Sequence, residues 1–350
     1  MITRTQTKVI HIGGIPIGGG HPIAVQSMTN TDTRNVSATV AQIHALEAAG
    51  CEIVRAAVPD TEAAQALREI KKQIHIPLVA DIHFDYRLAV EAIRNGADKI
   101  RINPGNIGSD NRVRQVAETA GAAGIPIRVG VNDGSLEKEL LKKYNGVTAQ
   151  GLAESALHNV ARLEKYNFTD IVVSVKASNV PMLVEAYGII ADKLPYPLHI
   201  GLTHAGTPQK GALRSAVGMG ALLGMGIGDT MRISLSGDPV NEITTAREIL
   251  AAFGLRPYGP HVIACPTCGR TGINVIEIAE RIETRITHIN KPITVAVMGC
   301  EVNGPGEARE ADVGIAGGKG QGLLFMKGEI IKKLPERELE DALVAMCEEL

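Results

Sequence analysis

Eight short apolar runs, separated by helical patterns, constrain the fold of this chain more than any other feature. The runs are rich in Val, Ile and Leu and begin at residues 23, 51, 77, 98, 126, 170, 197 and 230. Such runs are typical of parallel strands buried on both faces. The stretches between them, such as TEAAQALREIKKQI (61–74), carry apolar residues at helical spacing. Eight strand–helix units predict an α/β fold built on a (β/α)8 TIM-type barrel, and a doubly wound open sheet is the less favoured alternative.

The order of segments also predicts where the domains begin and end. An opening hairpin, KVIHIGGIPIGG (8–19), is expected to close the bottom of a barrel that occupies residues 1–253. A connector, GLRPYG (254–259), leads to a small α/β domain at 260–350. That domain is the one expected to hold a metal centre, because it contains four of the five cysteines, three of them in or beside turns that contain Gly or Pro.

Composition excludes several classes of partner. The net charge is only −2, so general attraction to nucleic acid or to an anionic membrane is not expected. The first residues do not resemble a secretory signal, and no apolar run is long enough for a membrane helix. We therefore expect a cytoplasmic protein whose cysteines stay reduced, where a CxxC motif is more often metal-binding or catalytic than a disulfide.

Polar residues cluster at the carboxyl ends of the predicted strands, which in a (β/α)8 barrel meet at one mouth. They are Arg55, Asp81, His83, Arg101, Asn103, Arg128, Asn132, Ser174, Lys176, Thr203, His204, Arg232 and Ser234. Four arginines and a lysine would repel one another unless an anion binds there, and guanidinium groups match phosphate oxygens. A network of structural ion pairs is the alternative. Asp81 could neutralise a neighbouring arginine, but one carboxylate cannot balance five cations.

The second domain carries a cysteine pattern that predicts a metal centre. Cys265 and Cys268 form a CxxC motif, and Cys300 follows in a later loop. Thiolates select zinc or iron–sulfur clusters rather than hard cations. The candidates for a fourth ligand are Cys347, His261, Cys51 and Glu307. A zinc site is normally completed by Cys or His, so three thiolates with Glu307 favour an iron–sulfur cluster, and structural zinc stays open as the alternative.

Blocks along the whole chain resemble the 4-hydroxy-3-methylbut-2-enyl diphosphate synthase family of the methylerythritol phosphate pathway, in its short two-domain bacterial form. The blocks are VQSMTNTDT (25–33), VADIHF (79–84), IRINPGNIG (100–108), VGVNDGSLEK (129–138), GIGDTMRISLSGDP (226–239), IACPTCGR (263–270) and MGCEVNGPGEAREADVG (298–314). The resemblance implies reductive ring opening and dehydroxylation of 2-C-methyl-D-erythritol 2,4-cyclodiphosphate, with electrons from flavodoxin or ferredoxin.

The resemblance also implies roles for individual residues. It implies a 4Fe-4S cluster held by Cys265, Cys268, Cys300 and Glu307. It implies that the substrate's diphosphate meets Arg55, Arg101, Arg128, Lys176, Arg232 and Ser234, with Asn132 and Thr203 nearby. The candidate catalytic residues are Glu307, His204 and Asp81. His204 departs from the family pattern, which has glutamate at this position, and we expect it to do the same work as a proton donor.

Chain geometry predicts a head-to-tail homodimer. In a (β/α)8 barrel the last helix ends opposite the mouth, and a connector of six residues spans at most about 20 Å. A cluster domain attached there is expected to serve the mouth of a second chain. Two rival functions stay open at this point: a zinc-stapled phosphosugar lyase or epimerase that uses Asp81 with His83 or His204, and a non-catalytic iron or redox sensor.

Overall fold

The computed structural model describes residues 3–203, 205–301, 306 and 308–350, so the candidates His204 and Glu307 lie outside the described residues. The chain divides into two units, Met1–Arg256 and Pro257–Leu350. This boundary falls among residues 254–259, which the sequence assigns to a connector.

The first unit is a parallel barrel closed at its bottom by a hairpin. The strands are β1 (Ile10–Ile12), β2 (Ile15–Ile17), β3 (Ala24–Met28), β4 (Ile53–Ala57), β5 (Leu78–Asp81), β6 (Lys99–Ile102), β7 (Ile127–Asn132), β8 (Ile171–Lys176), β9 (His199–Ile200) and β10 (Thr230–Met231). From β3 to β8 each strand pairs in parallel with the next, and β10 joins β3 to β9. A parallel bridge between Val173 and Leu198 completes the ring. The predicted TIM-type barrel is therefore confirmed.

Helices cover the outside of the barrel. They are α1 (Val36–Ala48), α2 (Thr61–Lys71), α3 (Tyr86–Arg94), α4 (Pro104–Ile107), α5 (Asp110–Ala123), α6 (Lys138–Lys143), α7 (Ala149–Glu164), α8 (Val180–Ala191), α9 (Pro208–Gly224) and α10 (Val240–Ala252). Several begin at a side-chain cap, as where Asp60 accepts from the Ala63 N–H at 2.9 Å. Such caps satisfy backbone donors that have no partner within the helix.

The hairpin β1–β2 packs under the barrel in the way the sequence predicts. Its isoleucines form an apolar cluster with inward residues at the lower ends of the strands, including Ile53, Val79 and Val172. Further up, the inward positions become polar. In β6, for example, Ile100 and Ile102 alternate with Lys99 and Arg101, and all four are buried. The barrel therefore has an apolar floor and a polar upper interior.

The second unit is a five-stranded sheet with helices. Its elements are β11 (His261–Ala264), α11 (Val275–Ile286), β12 (Thr294–Met298), β13 (Val313–Gly317), β14 (Gln321–Met326), β15 (Glu329–Pro335) and α12 (Glu336–Glu349). The strands follow one another in the order β11 to β15, parallel from β11 to β13 and antiparallel thereafter. Apolar residues of α11 and α12 pack on this sheet.

Among the described residues, no helix combines the length and the apolar character needed to cross a membrane.

Candidate functional site

The carboxyl ends of the barrel strands surround a cavity of about 620 Å³. The residues that line it include Arg55, Asp81, His83, Phe84, Arg101, Asn132, Asp133, Lys176, Thr203, Arg232 and Ser234. In a (β/α)8 barrel this end carries the active site. The structure thus brings most of the predicted strand-end residues to one mouth.

Asp81 connects two of the arginines. Its Oδ1 lies 3.2 Å from Arg101 Nη1, and its Oδ2 lies 3.8 Å from Arg55 Nε and 3.8 Å from His83 Nε2. Burial alone would raise the pKa of Asp81, but the charges of Arg55 and Arg101 hold it well below its usual range. Asp81 is therefore a carboxylate near neutral pH and a weak base, suited to orient the arginines rather than to donate a proton.

Glu242 is a second buried carboxylate at the mouth, and sequence reasoning missed it. It lies on α10 and receives two bonds from Arg232, Nε to Oε2 at 3.2 Å and Nη2 to Oε1 at 3.1 Å. Ser27 Oγ also donates to Glu242, at 2.8 Å. The structure therefore adds a second buried carboxylate to the single one that the sequence analysis set against five cations. The cations still outnumber the carboxylates that touch them.

Lys176 and Arg128 differ from the other three cations of the mouth. Among the described residues, neither makes an ion pair with a carboxylate, and all three side-chain nitrogens of Arg128 are buried without a hydrogen bond. Burial and the surrounding arginines lower the pKa of Lys176 well below its usual value. A bound anion would satisfy both groups, because it supplies acceptor oxygens and negative charge to buried donors.

Arg128 lies deeper than the sequence suggests. It is fully buried and does not line the cavity, whereas Arg55, Arg101, Lys176 and Arg232 do. Its neighbours one layer below the mouth include Lys99 and His199, both fully buried. Desolvation and nearby cations, Arg128 first among them, lower the pKa of both groups. The alternation of residues along β6 could have indicated that Lys99 points into the barrel. How deep Lys99 lies in the barrel could not be read from the sequence.

Asn132 supports Arg101 at the rim of the cavity. With its amide oriented so that both ends are satisfied, Asn132 accepts from Arg101 Nη2 at 3.1 Å and donates to the Val131 carbonyl at 3.3 Å. Thr203 and Ser234 also line the cavity. His83 is half exposed at the rim, beside the exposed Phe84. The catalytic candidate His204 follows Thr203 but lies outside the described residues.

The cysteines of the second unit stand at the carboxyl ends of two adjacent strands. Cys265 follows β11 directly and Cys300 comes two residues after β12. The Gly299 N–H donates to Cys265 Sγ at 3.2 Å and so links the two strand ends. A Cβ at position 299 would lie 2.9 Å from Thr271 Cγ2 and 3.0 Å from Val275 Cγ2, which explains glycine there.

The CxxC turn presents Cys268 to solvent as an activated thiol. The backbone N–H of Arg270 and the charge of that side chain lower the pKa of Cys268, against the opposing effect of desolvation. The Cys268 N–H in turn donates to Thr271 Oγ1 at 2.9 Å. Thiolates are the form that binds metals, so a lowered pKa favours ligation.

The sulfurs of the three predicted cysteine ligands are not gathered around one point. Among the described residues, three metal-ligand atoms within 4.8 Å of one another occur only at His44, Glu47 and His75, so the sulfurs of Cys265, Cys268 and Cys300 are spread more widely. Around one zinc, sulfurs at 2.3 Å from the ion stand about 3.8 Å apart. Binding of a single zinc ion would therefore require these side chains to rotate, and metal sites commonly take their final geometry when the metal binds.

The other candidate ligands have different surroundings. Cys51 is buried in the barrel, and burial raises the pKa of its thiol to about 12. Cys347 packs among the apolar residues of α12, and burial raises its pKa to about 11. His261 is exposed at the start of β11, at the opposite end of that strand from Cys265. Glu307 lies outside the described residues, so it stays a prediction.

Comparisons with known proteins agree with this two-part organisation. A family profile described as the GcpE TIM-barrel domain matches residues 7–247, and one described as the GcpE protein C-terminal domain matches residues 261–349. By fold alone, the chain resembles a dihydropteroate synthase from Stenotrophomonas maltophilia, with a TM-score of 0.53 at 13% identity over 71% of this chain and 100% of that one.

Curated relatives match nearly the whole chain. A protein of Caldanaerobacter subterraneus subsp. tengcongensis is 58% identical over 99% of this chain and 98% of its own length. A protein of Ruminiclostridium cellulolyticum is 58% identical over 100% of this chain and 99% of its own length. A protein of Geobacter sulfurreducens is 55% identical over 99% of this chain and 98% of its own length. All three are named 4-hydroxy-3-methylbut-2-en-1-yl diphosphate synthase (flavodoxin). Matched in both of its units and across its length, this chain belongs to the GcpE family.

Proposed function

We propose that this chain is a 4-hydroxy-3-methylbut-2-enyl diphosphate synthase. It opens the ring of 2-C-methyl-D-erythritol 2,4-cyclodiphosphate reductively and removes a hydroxyl group to give 4-hydroxy-3-methylbut-2-enyl diphosphate. The observation that carries this proposal is the 55–58% identity, over nearly full length, to relatives with that name. The cationic cavity and the cysteine turn supply the two kinds of group that this reaction needs.

The barrel mouth is the diphosphate site in this proposal. Arg55, Arg101, Lys176 and Arg232 line the cavity, and Asp81 and Glu242 already hold the three guanidinium groups in place. Groups fixed before binding lose little freedom when the substrate arrives, which favours both affinity and alignment. Arg128, buried below the cavity, adds to the positive electrostatic potential at the mouth. Ser234, Thr203 and Asn132 supply neutral hydrogen-bonding groups.

Cys265, Cys268 and Cys300 would hold a 4Fe-4S cluster, with Glu307 as the fourth ligand. When bound, such a cluster supplies single electrons and a Lewis-acidic iron for the departing oxygen. Two observations support the thiol part of this assignment: the linked ends of β11 and β12 and the lowered pKa of Cys268. The 55–58% identity to relatives named as the synthase counts against the zinc-stapled lyase.

Proton supply is assigned to His204. The departing hydroxyl needs a proton, and Asp81 is held as a carboxylate by its two arginines. Histidine is the side chain most often used as a proton donor near neutral pH, and His204 follows Thr203, which lines the cavity. Asp81 then contributes by keeping Arg55 and Arg101 aimed at the cavity.

Flavodoxin is the proposed electron donor, because the relatives' names specify it. Ferredoxin is the alternative that the sequence leaves open. Product formation is measured once with reduced flavodoxin and once with reduced ferredoxin. The two rates distinguish the donors, because an electron donor must both dock and have a sufficiently low reduction potential.

The active site is proposed to be shared by two chains in a head-to-tail homodimer. The barrel unit ends opposite its mouth, where Arg256 Nη1 donates to the Ile23 carbonyl at 2.9 Å and pairs with Glu52, just before β3 and β4 begin. Only residues 257–260 separate this point from β11, and so short a segment spans at most about 18 Å. The length of the connector therefore supports a cluster that serves a second chain.

A mixing experiment tests the shared site. Arg55→Gln chains, with an intact cysteine turn, are dissociated and reassociated with Cys300→Ser chains, which have an intact mouth. In a shared site, half of the dimers regain one working centre, so activity should recover to about one quarter of wild type. An assembled mixture that stays as inactive as its two components would contradict the shared site.

The function itself is tested with anaerobically purified protein. We expect about four irons and four acid-labile sulfides per chain, reduction of this centre by flavodoxin, and formation of 4-hydroxy-3-methylbut-2-enyl diphosphate from the cyclodiphosphate. Zinc without sulfide in a strictly anaerobic preparation, together with no product, would contradict the proposal and favour the lyase.

A further inference from the structure

His44, Glu47 and His75 form a cluster of metal ligands that the proposed function does not use. One ring nitrogen of each histidine and one carboxylate oxygen of Glu47 lie within 4.8 Å of one another. The cluster lies at the end of the barrel opposite the mouth: α1, which carries His44 and Glu47, ends just before β4 begins, and His75 precedes β5. It is therefore separate from the cavity and belongs to a different unit from the cysteines.

The helix and the turn hold the three side chains together. His44 and Glu47 are three residues apart on α1, which places them on one face of the helix. The histidine rings stack with their centroids 6.0 Å apart and their planes 24° apart. His75 Nδ1 lies 3.1 Å from Glu47 Oε2. The space between these two atoms is where a metal ion shared by the two side chains would lie.

Backbone groups already orient two of the ligands. Glu47 Oε1 accepts the N–H groups of His75 at 2.8 Å and Ile76 at 3.2 Å, which leaves Oε2 directed at the cluster. His44 Nε2 lies 2.7 Å from the Gln73 carbonyl. When Nε2 donates to this carbonyl, Nδ1 keeps its lone pair. Metal-binding histidines typically have such a carbonyl partner on the second nitrogen, because it fixes tautomer and ring orientation.

From this geometry we propose a binding site for a divalent transition metal of the zinc class, with His44, Glu47 and His75 as its protein ligands. Two imidazoles and one carboxylate suit zinc, nickel or copper, whereas magnesium and calcium prefer oxygen ligands alone. Three protein ligands leave a fourth position for water. The bound metal would cross-link α1 and the turn that precedes β5.

The site has a consequence for metal analysis of this protein. A metal assay of the whole protein does not separate zinc bound at the barrel from zinc bound at the cysteines. Zinc at the barrel site could therefore be mistaken for the structural zinc of the alternative lyase. Zinc found alongside a full complement of iron and sulfide belongs, in this proposal, to His44, Glu47 and His75. A His75→Gln variant separates the two sources, because His75 is 84% exposed in its side chain and contributes little to packing.

The experiment is anaerobic equilibrium dialysis of the cluster-loaded full chain against zinc chloride. We compare wild type with His75→Gln, His44→Gln and a control, His11→Gln, which removes an exposed histidine on β1. We expect one zinc per chain in wild type and in the control, and binding at least about tenfold weaker in the other two variants. Equal zinc binding by wild type and His75→Gln would overturn the proposal.

A second readout excludes the cysteines as the source of the signal. In the full chain with Cys265, Cys268 and Cys300 all replaced by Ser, cobalt should give the absorption of a low-coordinate nitrogen–oxygen site, and zinc should displace it. Adding His75→Gln should abolish that absorption. If cobalt gives the same spectrum with and without His75, the ion is bound elsewhere and the proposal fails.

Discussion

The barrel mouth and the cysteine turn both stand at the carboxyl ends of parallel strands, yet the chain prepares them differently. At the mouth, Asp81 and Glu242 hold three arginines in position through ion pairs of 3.1–3.8 Å. At the cysteine turn, the described contacts are hydrogen bonds from backbone N–H groups, such as that of Gly299 to Cys265, and Cys268 is exposed.

This difference separates a preorganised site from one that a metal completes. Buried ion pairs fix the mouth because each arginine would be costly to leave without its partner. The exposed Cys268 and the half-buried Cys265 and Cys300 have no ion pairs of this kind among the described residues, and their final geometry is set when the metal binds. We therefore expect graded losses from changes at the mouth and an all-or-none loss from changes at the cysteines.

Cys300→Ser should have the largest effect. The variant should lose the cluster, and turnover should fall by more than about 10³-fold, or ~4 kcal/mol in activation free energy. Iron content and product formation are the measurements. The matched control is Cys347→Ser, which should keep the iron and turnover but lose about 1–3 kcal/mol of stability, because it introduces a hydroxyl among apolar residues. Full iron and turnover in Cys300→Ser would contradict the assignment.

Arg55→Gln should have the next largest effect. It removes a buried guanidinium that lines the cavity, so kcat/KM should fall about 10²-fold, or ~3 kcal/mol, while the iron content is unchanged. The control is Arg34→Gln, which breaks an exposed pair with Asp32 and should leave kinetics unaltered. Similar losses in both variants would mean that the mouth has no special role.

Asp81→Asn tests preorganisation directly. The change leaves Arg55 and Arg101 without their carboxylate, and the free energy of unfolding should fall by about 3 kcal/mol. Inorganic pyrophosphate should stabilise this variant more than wild type, because it replaces the missing negative charge. Urea unfolding with and without pyrophosphate measures both effects. Undiminished stability, or equal stabilisation of the two proteins, would contradict this account of the mouth.

The pH dependence of substrate affinity should report on Lys176. Its pKa is lowered in the free protein by burial and by nearby arginines, and a bound diphosphate should raise it. Affinity is then complete below the free-protein pKa and falls as the pH rises through it, by up to about tenfold per pH unit. Binding titrations of the cyclodiphosphate should show this fall in wild type but not in Lys176→Met. A fall of the same size in both would assign the titration to another group.

His204→Glu should have the smallest effect. It restores the residue that the family pattern has at this position, and turnover should stay within about threefold of wild type or rise, because both groups can donate a proton. Steady-state assays across pH give the comparison. A large loss of activity would count against His204 as the proton donor.

The fold was largely predictable from the sequence, and the charge balance of the mouth was not. Eight apolar runs specify eight strands because parallel strands buried on both faces need them. Glu242 was missed because it lies on α10, and a helix sequence does not reveal which residue reaches a strand end. The depth of Lys99 and Arg128 in the barrel was missed for a different reason. Alternation of residues along a strand shows which side chains point into the barrel, but not how far each lies below the mouth.

At the cysteine turn the spacing predicted the metal-binding type, but not its details. The motif indicated thiolate ligation, and the choice of a cluster over one zinc rests on the family to which the chain belongs. The cluster at His44, Glu47 and His75 had no sequence signal, because His75 comes from a separate turn and meets α1 only in the folded barrel.

The central claim is that the barrel mouth binds the substrate and the cysteine turn supports the redox step. The most direct test measures substrate binding and turnover separately in one variant. Cyclodiphosphate binding to wild type and Cys300→Ser is measured by anaerobic titration calorimetry, and product formation is assayed in the same samples with reduced flavodoxin. The account predicts that Cys300→Ser binds the cyclodiphosphate with nearly the wild-type Kd and forms no product. Product formation without the cluster, or loss of binding together with turnover, would contradict it.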